Sequence, residues 1–198
     1  MKWINFFLTL FFFPILLKGQ ETQKLNSTNL HFPLIVSVNF QNFALPFRDL
    51  ESNFSHPGFT LGTELSLNKK RTLVQQLHTG IYRNREAGNG IIAFTQFAFR
   101  PKVFTFFYTE LKAGAGWQRS YHPVAAYEFE DGQWQRKTGG KSQLIVPLGL
   151  TIGYRDKHAP ARLAPFITYQ VIPSLFYNDV IPLNFYSFIQ IGSIIHFN

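Results

Sequence analysis

The 198-residue sequence contains no cysteine, and charged residues make up only 15% of it. The absence of cysteine excludes disulfide bonds and lipid attachment through a cysteine. Beyond the N-terminal region, no apolar run reaches the 18 residues that a transmembrane helix needs. Stability must therefore come from a continuous set of backbone hydrogen bonds and from the surroundings of the protein.

The N-terminus has the order of features found in a secretory signal peptide. A lysine at position 2 precedes an apolar run over residues 6–17, and the sequence becomes polar directly after Gly19. The run is shorter than the roughly 20 residues that span a bilayer as a helix, which favours a signal peptide over a retained anchor. We expect a cleaved signal peptide over residues 1–19, an N-terminal periplasmic segment over residues 20–33, and one folded domain over residues 34–198.

Aromatic residues and a two-residue alternation of apolar and polar side chains dominate the rest of the sequence. It contains 23 Phe, 8 Tyr and 14 Gly, which suits extended, aromatic-rich strands. The alternation recurs in segments of about ten residues, the length that crosses a bilayer as a tilted β-strand. Eight segments are predicted to be strands: 34–45, 58–67, 73–82, 90–100, 103–118, 143–154, 164–176 and 185–197.

The connections between these segments differ systematically in length. Most odd-numbered connections are long, and two of the three even-numbered ones are tight turns, while the third, 155–163, is longer. A transmembrane barrel with both ends in the periplasm has this asymmetry, and bacterial single-chain barrels have an even number of strands. The predicted fold class is therefore all-β, an eight-stranded antiparallel up-and-down transmembrane β-barrel.

Alternation alone does not show which face is outside, because a soluble periplasmic barrel that binds an apolar ligand has the same pattern. Three features favour apolar side chains outside. The predicted outer faces carry no charged residue, aromatics such as Trp117 and Tyr154 lie near strand ends, and glycines cluster on the predicted inner face. Three prolines remove hydrogen-bond donors: Pro147 and Pro165 can be placed near strand ends or bulges, and Pro173 fits less well.

The last predicted strand carries a short motif. Gln190 is followed by Gly192 and then by two apolar residues in alternation, Ile195 and Phe197. This motif resembles the C-terminal insertion signal of bacterial outer-membrane barrels, except that Asn198 follows the aromatic residue. The mature chain looks like a small outer-membrane β-barrel of the aromatic-rich kind common in Bacteroidota. The resemblance implies a location in the cell outer membrane, contact with outer-membrane lipid, and recognition by the barrel-assembly machinery through β-augmentation.

The predicted inner face carries polar and charged side chains that need partners if they are buried. Side chains fill the interior of an eight-stranded barrel, so no diffusion pore is expected. Glu110 and Lys112 are two residues apart on one strand and are expected to form an ion pair. A hairpin turn at Lys69-Lys70 would place Glu64 opposite Gln76. We interpret the whole set as a structural plug that also includes Gln190: Glu64, Gln76, His78, Gln96, Arg100, Glu110, Lys112 and Gln170.

Candidate catalytic residues are sparse. His56, His78 and His122 could belong to a Ser–His–acid site of an outer-membrane lipid-modifying enzyme, but none lies in a motif typical of such enzymes. The six histidines lack metal-ligand spacing, and the positive charges are scattered rather than clustered. We therefore expect no catalytic residue, cofactor, metal or nucleic-acid partner, and the lipid-modifying enzyme stays as the alternative.

The third outer loop, 119–142, is the most informative external segment. Asp131-Gly132 lies between alternating residues, which is a strong signal for a β-hairpin. Four aromatics give this loop the content of a contact surface, although a loop packed on itself would have them too: Tyr121, Tyr127, Phe129 and Trp134. The sequence favours a non-enzymatic barrel with a structural or interaction role, as an accessory subunit of an envelope complex that binds a protein partner through this loop.

Overall fold

The computed structural model of the chain describes residues 32–42, 54, 56–83, 88–101, 106–121, 126–130, 132–137, 140–154, 163–175 and 183–196. The predicted signal peptide, nearly all of the predicted periplasmic segment, and Phe197 of the terminal motif lie outside these residues. Within the described ranges, no helix is long and apolar enough to cross a membrane.

The described residues are mostly antiparallel β-strand. The strands are β1 (Leu34–Asn42), β2 (Pro57–Ser66), β3 (Leu73–Tyr82), β4 (Asn89–Phe99), β5 (Phe107–Tyr121), β6 (Ala126–Glu130), β7 (Gln133–Lys137), β8 (Gly140–Ile145), β9 (Leu148–Tyr154), β10 (Leu163–Leu175) and β11 (Leu183–Ile195). The period-2 alternation predicted the strands other than β6 and β7, because one side of each of them lies against the interior of the barrel.

All strands except β6 and β7 form one closed sheet. β1 to β5 follow one another, β8 and β9 lie between β5 and β10, and β11 pairs with both β10 and β1. β8 and β9 share one unbroken register against β5, with Ile145 opposite Gly116 and Leu148 opposite Ala113. They are two halves of one strand, so the ring has eight strands. The predicted fold class, an eight-stranded antiparallel barrel, is confirmed.

Pro147 lies between the two halves of this strand. Because proline has no backbone N–H, it accepts a hydrogen bond without returning one: the Gly114 N–H donates to the Pro147 carbonyl at 2.9 Å. The adjacent Val146 N–H donates to the Pro173 carbonyl of β10, also at 2.9 Å. The two prolines therefore remove donors at the same level of the wall, on opposite sides of one strand. Pro147 lies within the continuous register rather than at an end of the barrel.

The predicted strand bounds agree closely with the structure except around the third outer loop and at the start of β5, which begins at Phe107 where 103 was predicted. Residues 43–45 and 103–105 of the predicted strands lie outside the described residues. β5 ends at Tyr121 where 118 was predicted, and β8 begins at Gly140 where 143 was predicted. These extensions are rich in polar residues, so the apolar alternation did not extend into them. One consequence is that Arg119 lies on the outer face of β5, opposite Ser142, so this face is not free of charge.

The outer wall of the barrel is apolar. Side chains that point away from the ring include Ile81, Leu111 and Ile152, which are 60%, 57% and 58% exposed. We name the end where β1 begins and β11 ends the turn end, and the opposite end the loop end. Exposed aromatics lie near both ends, and at the turn end the Phe107 and Tyr154 rings meet edge to face with centroids 5.8 Å apart. The apolar side chains are outside, as predicted.

Candidate functional site

Inward-facing side chains fill the lumen in layers. The layer at the turn end is apolar and comprises Ile35, Tyr108, Ala164, Phe166 and Ile194. The layer toward the loop end is larger and comprises Tyr82, Ile92, Phe94, Ile145, Ile172, Tyr186 and Phe188. Between them along the strands lie the buried polar and charged side chains that the sequence placed on the inner face.

Four charged side chains form the centre of the polar layer. Arg100 Nη2 lies 2.8 Å from Glu64 Oε2 and also contacts Glu110, and Lys112 Nζ lies 3.0 Å from Glu110 Oε2. All four residues are at most 6% exposed. Two carboxylates and two cations balance, so this ion cluster adds no net charge to the lumen. The structure brings Glu110 and Lys112 together as expected, and Arg100 links both carboxylates.

Aromatic rings of the turn-end layer lie against both cations. Arg100 Cζ is 5.0 Å from the centre of the Tyr108 ring, and Lys112 Nζ is 5.5 Å from the centre of the Phe166 ring. Cation–π contacts of this kind strengthen when water is excluded. The two cations therefore contact the carboxylates of the cluster on one side and the aromatic rings of the turn-end layer on the other.

A series of hydrogen-bonded side-chain amides extends the polar layer across the lumen. Gln170 Nε2 of β10 donates to Gln96 Oε1 at 3.1 Å, and Gln96 Nε2 donates to Gln76 Oε1 at 3.0 Å. Gln76 Nε2 in turn lies 3.4 Å from Glu64 Oε2, and these two residues are directly opposite each other, in the predicted register. The network connects strands on opposite sides of the ring and leaves the lumen filled at this level.

His78 belongs to the same layer. Its Nε2 lies 3.2 Å from Gln96 Nε2, and its ring stacks on Phe94 with centroids 4.9 Å apart. These partners are amides and a ring, without the hydroxyl and carboxylate that would make a Ser–His–acid site. His122 lies outside the described residues. Within the described ranges, no group of three or more His, Cys, Asp or Glu side chains could hold a metal ion.

Gln190 and Gly192 of the terminal motif lie on the strand that closes the barrel. Gln190 points into the lumen and is 2% exposed. Gly192 lies opposite Ser37, and a Cβ at this glycine would come 2.3 Å from the Val36 carbonyl oxygen. Ile195 is the last residue of β11 and pairs with both neighbouring strands. Recognition of this strand by the assembly machinery stays a prediction.

Two tyrosine–glycine pairs in the lumen had no role in the sequence-based interpretation. Tyr82 lies opposite Gly90, and Tyr108 opposite Gly153. A Cβ at either glycine would come 2.2 Å from the tyrosine ring, so each ring occupies space that only glycine leaves open. An inward tyrosine directly opposite an inward glycine would have predicted these contacts from sequence. The pairing can be recognised only once the strand register is known.

The external hairpin predicted at Asp131-Gly132 is present. β6 and β7 form a separate two-stranded sheet with Glu130 opposite Gln133, so these two residues flank a two-residue turn. Gly132 has φ +78°, a conformation that favours glycine. Phe129 and Trp134 occupy opposite positions on the two strands, but the side chains of β6, and of Trp134 on β7, lie outside the described part. Tyr121, at the end of β5, is 40% exposed.

No protein-family model and no curated protein matches this sequence. Solved structures do resemble it. Neisserial surface protein A is 11% identical with a TM-score of 0.54, over 84% of this chain and 97% of that one. Ail, the attachment invasion locus protein of Yersinia pestis, is 11% identical with a TM-score of 0.46, over 84% and 97%. A designed transmembrane β-barrel is 13% identical with a TM-score of 0.45, over 84% and 96%. At these identities the likeness concerns the fold alone.

The fold and its surface together define the class of protein. The ring is closed, so none of its strands has an unpaired edge. Its outer wall is apolar, while its charged layer is buried in the lumen between two apolar layers. Such a surface is stable in a bilayer, and single-chain bacterial barrels of this architecture lie in the outer membrane. The chain is an outer-membrane β-barrel, and the predicted location is confirmed.

Proposed function

We propose that the chain is a non-enzymatic outer-membrane barrel with a structural or interaction role, and that it serves as an accessory subunit of an envelope complex. The filled lumen is the observation that carries this proposal. The ion cluster of Glu64, Arg100, Glu110 and Lys112 lies between two apolar layers, and its charges satisfy one another. Such an interior supports the wall and offers no route for a solute.

The β6–β7 hairpin is the proposed contact with a protein partner. Tyr127, Phe129 and Trp134 lie on it, and Tyr121 is exposed where β5 leads into the same loop. Aromatic residues of this kind are enriched in protein interfaces. The loop therefore has the composition of a contact surface, and the barrel anchors it at the membrane.

In-cell photocrosslinking tests this contact. A photoreactive phenylalanine analogue replaces Phe129 or Trp134 in the full chain, and Phe97 serves as the matched control because it is 48% exposed on the outer wall. We expect a discrete protein crosslink from the two hairpin positions and none from position 97. With the analogue at Tyr121 instead, replacement of residues 122–139 by a short glycine–serine turn should abolish the crosslink while the barrel still folds.

Two outcomes would contradict the proposed contact: no protein crosslink from the hairpin, or the same crosslinks from position 97. The lipid-modifying alternative has its own measurement, the mass spectrum of lipid A from a deletion strain. An altered acylation pattern would favour an enzyme, and an unchanged pattern is the result that we expect.

Two further parts of the interpretation are proposals that rest on sequence. The barrel-assembly machinery is proposed to read β11, on the basis of Gln190, Gly192, Ile195 and Phe197. A source in Bacteroidota is proposed because the chain is rich in aromatics, with 23 Phe among 198 residues.

A further inference from the structure

A groove on the outer wall at the loop end combines apolar and basic side chains. It has a volume of about 500 Å³ and reaches from β2 to β5, which is within the usual range for small-ligand sites. Phe59, Ile81 and Ile91 form its floor, lie opposite one another on three neighbouring strands, and are 42%, 60% and 41% exposed. This floor is a continuous apolar strip on the membrane-facing side of the barrel.

The next residue across the sheet from the apolar strip is an arginine. Arg119 lies opposite Ile91 on β5, and its Cζ is 5.6 Å from the centre of the Tyr121 ring, which also lines the groove. Arg83 lines the groove just past the end of β3. Both arginines are exposed, and among the described residues neither forms an ion pair. One arginine thus lines the groove, and a second lies beside it, next to Ile91 on the adjacent strand.

No carboxylate of the described barrel strands is available to these arginines. The acidic residues of those strands are Glu64 and Glu110, and both are buried in the lumen, where they pair with Arg100 and Lys112. Among the side chains that the structure describes, no carboxylate balances these arginines, so the charge beside the groove is complementary to an anion.

The position of Arg119 along the barrel matches the depth of lipid headgroups. Phe107, in the aromatic girdle at the turn end, and Arg119 are on the same strand, twelve residues apart. At about 3.3 Å per residue and a tilt of roughly 40°, Arg119 is about 30 Å above Phe107 along the membrane normal. The apolar band of such barrels is about 25 Å tall. The Cα of Arg119 is therefore near the polar boundary, level in the strand register with Ile91 of the groove floor.

We propose that this groove binds a lipid of the membrane leaflet at the loop end, one that carries a phosphorylated headgroup. One acyl chain lies along Phe59, Ile81 and Ile91, and a phosphate is bound by Arg83 and Arg119. The planar guanidinium group offers paired N–H donors that match phosphate oxygens. A free phosphate would leave the apolar floor unused, and a lipid without phosphate would leave both arginines without an anionic partner among the described residues.

Native mass spectrometry of the folded full chain in detergent micelles tests this site. The probes are bis-phosphorylated lipid A and the same lipid after enzymatic removal of its phosphates. The Arg83→Gln/Arg119→Gln variant should lose about tenfold in affinity for the phosphorylated lipid, since two charge-assisted contacts disappear. The matched control is Lys69→Gln/Lys70→Gln, which removes two exposed positive charges at the turn end and should bind like the unaltered protein.

The dephosphorylated lipid should bind weakly and equally to all three proteins. Equal affinity of the arginine variant and the unaltered protein for the phosphorylated lipid would overturn the proposal. So would an equal loss in the lysine variant, because the attraction would then depend on overall charge. Heat-dependent gel mobility shows that each variant is folded. None of these outcomes depends on the hairpin, so they are separate from the crosslinking test.

Discussion

Arg100 and Arg119 lie in opposite environments of the same wall. Arg100 is 5% exposed inside the barrel, where Glu64 and Glu110 both accept its hydrogen bonds. Arg119 is exposed on the outside, and its contact there is the Tyr121 ring. A buried charge is tolerable only when its partners are fixed with it, whereas a charge at the membrane boundary keeps contact with water and headgroups. The difference assigns Arg100 to the structure of the barrel and leaves Arg119 available for a ligand.

The largest effect is expected from Arg100→Leu. The change leaves two carboxylates in the lumen, with Glu64 losing its only cation partner among the described residues. Removing one partner of a buried ion pair costs about 3–5 kcal/mol. Urea unfolding in liposomes, followed by tryptophan fluorescence, measures this loss. A loss below about 1 kcal/mol would contradict the role given to Arg100, since that is the ordinary value of an exposed pair.

A smaller loss is expected from Gly153→Val. Its Cβ would come 2.2 Å from the Tyr108 ring, and such overpacking costs about 1–3 kcal/mol. Ala113→Val on the outer face of β5 is the matched control, because it adds methyl groups toward lipid and should be nearly neutral. In the double variant Gly153→Val/Tyr108→Ala, the loss should be less than the sum of the single losses. Strict additivity would show that the tyrosine–glycine contact is unimportant.

The hydroxyl pair of Thr151 and Thr168 is expected to contribute less. The two Oγ atoms are 2.7 Å apart in the lumen, on strands where the residues lie directly opposite each other. Thr151→Val should cost about 1–2 kcal/mol because it leaves a buried hydroxyl without its partner. Replacement of both threonines by valine should cost less than the two single changes together, which a thermodynamic cycle measures. If the loss of the double variant equalled the sum of the two single losses, the hydroxyl pairing would be refuted.

The smallest effect is expected from Arg119→Leu. Because this arginine is exposed and forms no ion pair with a described residue, the free energy of unfolding should change by no more than about 0.5 kcal/mol. The comparison with Arg100→Leu is then direct, since the same substitution is made on the two sides of one wall. A loss as large as that of Arg100→Leu would remove the distinction between the two arginines.

The sequence predicted the strands and their faces because a two-residue period is a local property. It also predicted the pairing of Glu64 with Gln76, although a symmetric turn at Lys69-Lys70 would pair Glu64 with Gln75. In the structure the Asn68–Arg71 turn ends on Arg71 at φ +53°, and this moves the register by one residue. It did not predict the contact between Arg100 and both carboxylates, or the bond from Gln170 to Gln96. Such contacts join strands that are distant in the chain, so they depend on closure of the ring.

The groove at the loop end was missed for a different reason. The apolar alternation of β5 stops at residue 118, so it did not predict that the strand continues to Tyr121. The outward position of Arg119 could therefore not be predicted. The functional assignment of the hairpin depends on a partner, which neither the pattern nor the fold identifies.

Cell fractionation combined with a heat-modifiability gel tests the central claim most directly. A membrane-spanning closed barrel should be recovered with the outer membrane and should migrate differently before and after boiling, because the ring of hydrogen bonds resists detergent until it is heated. Recovery in the soluble fraction, with one mobility regardless of heating, would contradict the account.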